Sequence, residues 1–168
     1  MFTQGTIMAK VLVTYYSKGG NTEKLAEAVV KGVKEEGCEV SLKAVTDVVN
    51  DDLVKADGII VGSPVYFGSM ASEVKKMFDV SVSVRRQLKD KIGAAFTTAG
   101  HHTGGKETTI LSILQAMLIH QMIIVGDPLS AGGHYGSACV GNPNDKALQE
   151  AEAIGKRVAE VVKIFTKG

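Results

Sequence analysis

The chain has 168 residues, 45% of them hydrophobic and 22% charged, enough for one domain with its own core and no covalent staples. Lys plus Arg number 19 against 18 for Asp plus Glu, Trp is absent and aromatics make up 5%, so neither a basic field nor a stacking platform favours nucleic acid. Cys38 and Cys139 lack metal-ligand spacing and read as small buried hydrophobes in a reducing compartment, and no apolar stretch approaches the roughly 20 residues of a membrane span. The expectation is a cytoplasmic protein with no membrane insertion. Met8-Ala9-Lys10 offers a second start, so residues 1–9 read as a leader or expression remnant before one domain over residues 10–168.

Lys10 to Tyr16 predicts the first strand, built on the apolar run Val11-Leu12-Val13. Glu23 to Glu36 repeats Leu25, Ala28, Val29, Gly32 and Val33 at helical spacing, and Gly37 supplies its C-terminal stop. Glu39 to Ala44 reads as a second strand, and Asn50-Asp51-Asp52 as the start of a short helix before Leu53-Val54. Gly58 to Ser63 has no polar alternation and so predicts a central parallel strand buried on both faces. Ser63 to Met70 is a loop, Ala71 to Phe78 the next helix and Arg85 to Asp90 a charged link. Ile92 to Phe96 predicts the fourth strand, followed by a glycine-rich loop from Thr97 to Gly105. Ile110, Leu111, Leu114, Met117 and Leu118 mark a long apolar helix, and Met122 to Val125 the fifth strand. Gly126 to Gly136 is irregular, Ser137 to Val140 a short strand continuation, and Leu148 to Phe165 a last amphipathic helix.

Strands alternating with helices predict an α/β three-layer sandwich, a five-stranded parallel sheet in the order 2-1-3-4-5 with helices on both faces. In that topology the loops after strands one, three and four converge at the carboxyl edge of the sheet. They are the three loops with unusual composition. A response-regulator receiver shares the topology, but it needs acidic residues after the first strand and an aspartate ending the third. This chain has Tyr15-Tyr16-Ser17 and Gly62-Ser63 at those places.

Ser17-Lys18-Gly19-Gly20-Asn21-Thr22 lies between a strand and a helix, where unpaired N–H groups and the positive end of the helix dipole favour an anion. Glycines let N–H groups turn inward, and Ser17, Asn21 and Thr22 add side-chain donors. There is neither the Gly-Lys-Ser/Thr of a nucleoside triphosphate loop nor the Gly-x-Gly-x-x-Gly of a dinucleotide fold. What remains is a terminal phosphate held by neutral donors, with a ligand-free helix-opening turn as the competing reading.

The six residues resemble the FMN-phosphate loop of flavodoxin-like proteins. Ser63-Pro64-Val65-Tyr66-Phe67-Gly68-Ser69-Met70, Phe96-Thr97-Thr98-Ala99-Gly100, Gly104-Gly105-Lys106-Glu107 and His120-Gln121-Met122 are similar, in order and spacing, to blocks of the WrbA-type NAD(P)H:quinone oxidoreductases. Tyr135-Gly136 with Gly141 is similar to that family's late loop. The resemblance implies FMN as cofactor, NADH or NADPH as cosubstrate and a quinone or other small electron acceptor. It places Ser17, Lys18, Gly19, Gly20, Asn21 and Thr22 on the phosphate and Pro64, Val65, Tyr66, Phe67 and Gly68 beside the ribityl chain and ring. Thr97, Thr98, Ala99, Gly100, Gly104 and Gly105 would border the ring's polar edge. It also implies a catalytic His120 hydrogen-bonded to the quinone, and His101, His134 and Tyr135 near substrate. The competing readings are a histidine favouring a helix C-terminus for His120 and plain loop packing for Tyr135. His101, His102 and His134 have no diagnostic metal spacing, so no metal is expected.

Two departures stand out. His101-His102-Thr103 makes the third loop one residue longer than the family's, and Asp47 to Lys55 lacks the insertion that helps build the family's tetramer. A homo-oligomer, dimer or tetramer, is still expected. The near-neutral charge and a third loop without aromatics other than histidine favour an oxidoreductase with an open ring face. The alternatives are an electron-carrier flavodoxin and a non-catalytic FMN-binding interaction module.

Overall fold

The computed structural model describes residues 8–166, so most of the proposed leader, residues 1–7, lies outside the described residues. β1 (Lys10–Tyr15), β3 (Gly58–Pro64) and β4 (Ile92–Ala99) are the interior strands and are buried almost throughout. Their uninterrupted apolar runs follow from that, because a parallel strand covered on both faces has no side left for polar residues. β2 (Glu39–Ala44) lies at the sheet's edge and is largely exposed or half-buried. The order is β2-β1-β3-β4-β5, every pair parallel, as the alternation of elements predicts.

Side chains alternate across each strand and so divide the core in two. Val11, Val13, Ile60 and Phe96 pack with Leu25 and Val29 of α1 (Asn21–Glu35) and Ile154 and Val158 of α5 (Asp145–Thr166). Leu12, Ile59, Val61 and Ala95 face the other way. They pack with Leu53 of α2 (Asn50–Lys55), Val74 and Met77 of α3 (Ser72–Val80), and Ile113 of α4 (Lys106–Ile119). Helices α1 and α5 approach unusually closely. A Cβ on Gly32 would strike the Glu152 carbonyl, and one on Gly155 would strike that of Val29, so the pair of glycines permits near-contact of the two backbones.

Three boundaries differ from the sequence reading. The charged link extends back from Arg85 into consecutive 3-10 turns, Ser81–Leu88, because Ser81 and Leu88 are buried and the Ser81 hydroxyl bonds the Phe78 carbonyl at the end of α3. The fifth strand shrinks to β5 (Ile123–Ile124); the chain then leaves the sheet, and β6 (Ser137–Val140) rejoins it against Phe96–Ala99 of β4. β4 itself runs on through Thr97, Thr98 and Ala99, three residues read as loop. Among the described residues no helix is long and apolar enough to cross a membrane.

Candidate functional site

All strands run in parallel, so the loops following β1, β3 and β4 meet at one edge. There Ser17, Lys18, Gly19, Asn21, Thr22, Pro64, Val65, Tyr66, Thr98, Ala99, Gly100 and Gly141 line a cavity of about 190 Å³. Gly20 is the N-cap of α1 with φ of 88°, a left-handed conformation that favours glycine. Its N–H donates to Ser17 Oγ at 3.0 Å, folding the loop back on itself. The N–H groups of Asn21, Thr22 and Glu23 belong to the first helical turn and have no acceptor within the helix. A Cβ placed on Gly19, Gly20, Gly100 or Gly141 would meet nothing within 4 Å, so the glycines border open space rather than packed protein.

This cradle is tied together from beneath. Thr22 Oγ1 lies 2.8 Å from Thr98 Oγ1, both side chains buried, which locks the first turn of α1 to the end of β4. On the flank, Lys24 Nζ donates to Asn142 Oδ1 at 2.6 Å and joins α1 to the turn after β6. That turn carries Gly141, whose N–H donates to the Ala99 carbonyl at 2.8 Å. Gly141 enters the cavity because β6 pairs with Thr98 and Ala99. Its only sequence signal was its place in the late loop.

The second loop makes a tight turn. Tyr66 and Ser69 exchange both backbone hydrogen bonds at 3.1 Å, and Phe67 and Gly68 between them have φ of 51° and 73°. Positive φ at both central positions is the mirror-image hairpin geometry, and it strains Phe67, whose ring is fully exposed. Tyr66 is 39% exposed and is braced by Tyr16, with ring centroids 6.4 Å apart in an edge-on arrangement. The Glu73 carboxylate at the start of α3 raises the Tyr16 phenol above its ordinary range. Val65 donates its N–H to the Thr98 carbonyl at 2.8 Å, so this loop offers the cavity side chains and carbonyls rather than that amide.

Several expected site residues are placed elsewhere. Thr97 is wholly buried, and its hydroxyl donates to the Ser63 carbonyl at 2.6 Å, so it fastens β4 to β3 instead of lining the cavity. Gly104 and Gly105 form the turn into α4, where Gly105 packs against the backbone of Gly68 and has φ of 103°. They set the spacing of the second and third loops. His101 is exposed at the third loop, with Nδ1 2.8 Å from Thr103 Oγ1 and its ring stacked on His102 at 4.3 Å. His134 and Tyr135 are exposed on the 125–136 loop, where Asp127 accepts the His134 N–H at 2.8 Å. Neither lines the cavity.

His120 lies farthest from the cradle. It caps the C-terminus of α4, whereas the cradle edge lies at the start of that helix; its 14 residues span roughly 20 Å. It also precedes β5, which puts it at the amino edge of the sheet. The ring is 5% exposed, with Nδ1 2.9 Å from the Ala116 carbonyl and Nε2 2.8 Å from Ser81 Oγ. Within one chain it does not join the cradle. A larger cavity of about 800 Å³ lies at that opposite edge, between residues 82–87 and His120-Gln121.

The profile of the NADPH-dependent FMN reductase family matches residues 43–136, more than half of the chain. A protein of Archaeoglobus fulgidus named NAD(P)H dehydrogenase (quinone) is 40% identical over 186 residues, covering 92% of this chain and 97% of its own. That alignment is longer than the chain's 168 residues, so the relative carries residues with no counterpart here. A protein of Aquifex aeolicus named flavodoxin is 37% identical over 168 residues, covering 96% of this chain and 91% of its own. The crystal structure of a flavodoxin, WrbA-like protein from Agrobacterium tumefaciens superposes with a TM-score of 0.80 at 26% identity, covering 93% of this chain and 98% of that one. With its sheet order and three converging loops, the chain belongs to the flavodoxin-like NADPH-dependent FMN reductase family, alongside the NAD(P)H dehydrogenase (quinone) proteins.

Proposed function

We propose that residues 10–168 form one flavodoxin-like domain that binds FMN and reduces quinones by two electrons at the expense of NADH or NADPH. The observation that carries the reading is the cavity at the carboxyl edge, where an anion cradle and two ring-bordering loops meet in one continuous lining. The residues fit the group: the glycines face open space, and the first-turn N–H groups of α1 are aimed where a phosphate would complete their hydrogen bonding. Bound FMN supplies the redox chemistry, taking hydride from a reduced nicotinamide and passing two electrons to a quinone, which takes up protons to give the hydroquinone.

The chain's own residues do the rest. Ser17 and Asn21 give hydroxyl and amide donors to the phosphate, Thr22 its backbone N–H, and Lys18 adds positive charge at the mouth. Pro64, Val65 and Tyr66 wall the site on one side, while Thr98, Ala99 and Gly100 close the other. Phe67 of the second loop and His101 of the third are exposed beside the cavity, where an acceptor would enter. No large aromatic projects from the third loop, so one side stays open for a nicotinamide and an acceptor in turn. A homo-oligomer is part of this proposal, favoured by exposed Val80, Val82, Leu118 and Ile119 on the α3–α4 side.

An electron carrier is the second reading. The Aquifex flavodoxin aligns over 168 residues, without the extra length of the A. fulgidus relative. Turnover by FMN-loaded protein with NADH or NADPH and a benzoquinone separates the two. Steady-state hydroquinone formation supports the oxidoreductase. Its absence, together with rapid electron exchange with a redox protein, supports the carrier.

A further inference from the structure

Glu23 is the third residue of α1, counting from its Gly20 N-cap. A glutamate at that position ordinarily turns back and accepts a hydrogen bond from the N-cap N–H, closing a capping box. Here it does not. The Gly20 N–H is taken by Ser17 Oγ at 3.0 Å, and the Glu23 carboxylate instead accepts the Tyr15 hydroxyl at 2.6 Å. Neither Tyr15 nor Glu23 lines the cavity, although Ser17, Lys18, Gly19, Asn21 and Thr22 between them do. Tyr15 is the last residue of β1, packed in the core at 9% exposure, so its hydroxyl is a fixed point.

A carboxylate and a phosphate compete for the same donors. Released from Tyr15, Glu23 has one ordinary alternative on its own helix, the N-cap N–H at the lip of the cradle. There it would displace Ser17 Oγ from the Gly20 N–H, unfolding the loop's own closure, and set a negative charge against the incoming dianion. We infer that Tyr15 is a positioning residue for cofactor binding: its hydroxyl holds Glu23 out of the cradle and leaves the helix N-terminus free for the phosphate.

The inference rests on the FMN reading and adds to it a self-ligand that the fold keeps turned aside. It also assigns Tyr15 a role that depends on the phosphate and not on the flavin ring. Riboflavin, which has the ring and ribityl chain but no phosphate, is therefore the control ligand.

The experiment is flavin-fluorescence titration of the full chain and its variants with FMN and with riboflavin. Tyr15→Phe keeps the ring and its packing, and it should weaken FMN binding about tenfold if the released carboxylate occupies the cradle nine-tenths of the time. Riboflavin affinity should not change. Tyr15→Phe with Glu23→Gln should recover FMN affinity, and Glu23→Gln alone should bind FMN at least as tightly as the parent. Equal losses for both flavins, failure of the double variant to recover, or weaker FMN binding by Glu23→Gln would each overturn the inference. If the parent chain bound no FMN at all, the cofactor reading itself would fail, and that outcome is read before any variant is made.

Discussion

Thr22 and Thr98 stand 76 residues apart in the chain, and their hydroxyl oxygens lie 2.8 Å apart beneath the cradle. The two side chains are 2% and 6% exposed, so neither hydroxyl has water available as a substitute partner. Valine matches threonine in shape and removes only the hydroxyl. Thr22→Val or Thr98→Val should each lower the unfolding free energy by about 1–3 kcal/mol, because each leaves one buried hydroxyl unpaired. The double variant should lose less than the sum, since it leaves none. Urea unfolding of the four proteins reads this directly, and additive losses would show that the two hydroxyls are independent.

The same pair shows why the fold was more legible than the site. Period and composition carry an element's type, and Val11 to Val13, Gly58 to Val61 and the stripe from Leu148 to Phe165 were unambiguous. The order of the loops around the cavity followed from topology. Two things had no local signal. Thr97 and Thr98 are neighbours of like chemistry, yet strand alternation turns Thr97 into the sheet as a brace and gives Thr98 to the cavity. β4 continues past its apolar run, so residue type does not mark Thr97 and Thr98 as strand. Gly141 reaches the cavity because the strand expected at Ser137 to Val140 forms there after twelve residues outside the sheet; that its partner is β4 is what no spacing rule reveals.

Tyr15 also gives the chain a signature at alkaline pH. Burial, then the hydrogen bond to Glu23 and the charge of that carboxylate, push its phenol from an ordinary 10 up to about 12. Between those values the folded chain binds the proton that the unfolded chain has released, so stability falls as pH rises. The contribution is therefore complete below pH 10 and is lost as pH climbs to about 12. Tyr15→Phe should be less stable by about 1 kcal/mol below that window, from the lost hydrogen bond, and the two curves should converge within it and then cross, because raising the phenol from 10 to about 12 outweighs one hydrogen bond. Cys139, which burial pushes up to about 11, adds a loss of the same sign that begins lower and is common to both proteins. Urea unfolding at stepped pH checks the convergence; a constant gap would mean that Tyr15 titrates alike in both states.

His120 is the residue on which motif similarity and geometry part most clearly, and its chemistry shows what to expect of a variant. The Ala116 carbonyl only accepts, so Nδ1 carries a proton, and Nε2 faces the Ser81 hydroxyl at 2.8 Å. Both ring nitrogens are thus engaged, and the ring lies edge-tilted against Phe78 at 6.0 Å. These contacts join the end of α4 to the 3-10 turns after α3, a structural task at the amino edge of the sheet. His120→Ala should lower stability by about 2 kcal/mol through the cavity and the lost ring hydrogen bonds, while leaving FMN affinity unchanged. Turnover with a benzoquinone, normalised to bound FMN, should keep both its KM for quinone and its kcat. A raised KM with unchanged flavin affinity would instead require His120 to reach an acceptor, and a site some 20 Å away along α4 leaves only a second copy of the chain to bring one within range.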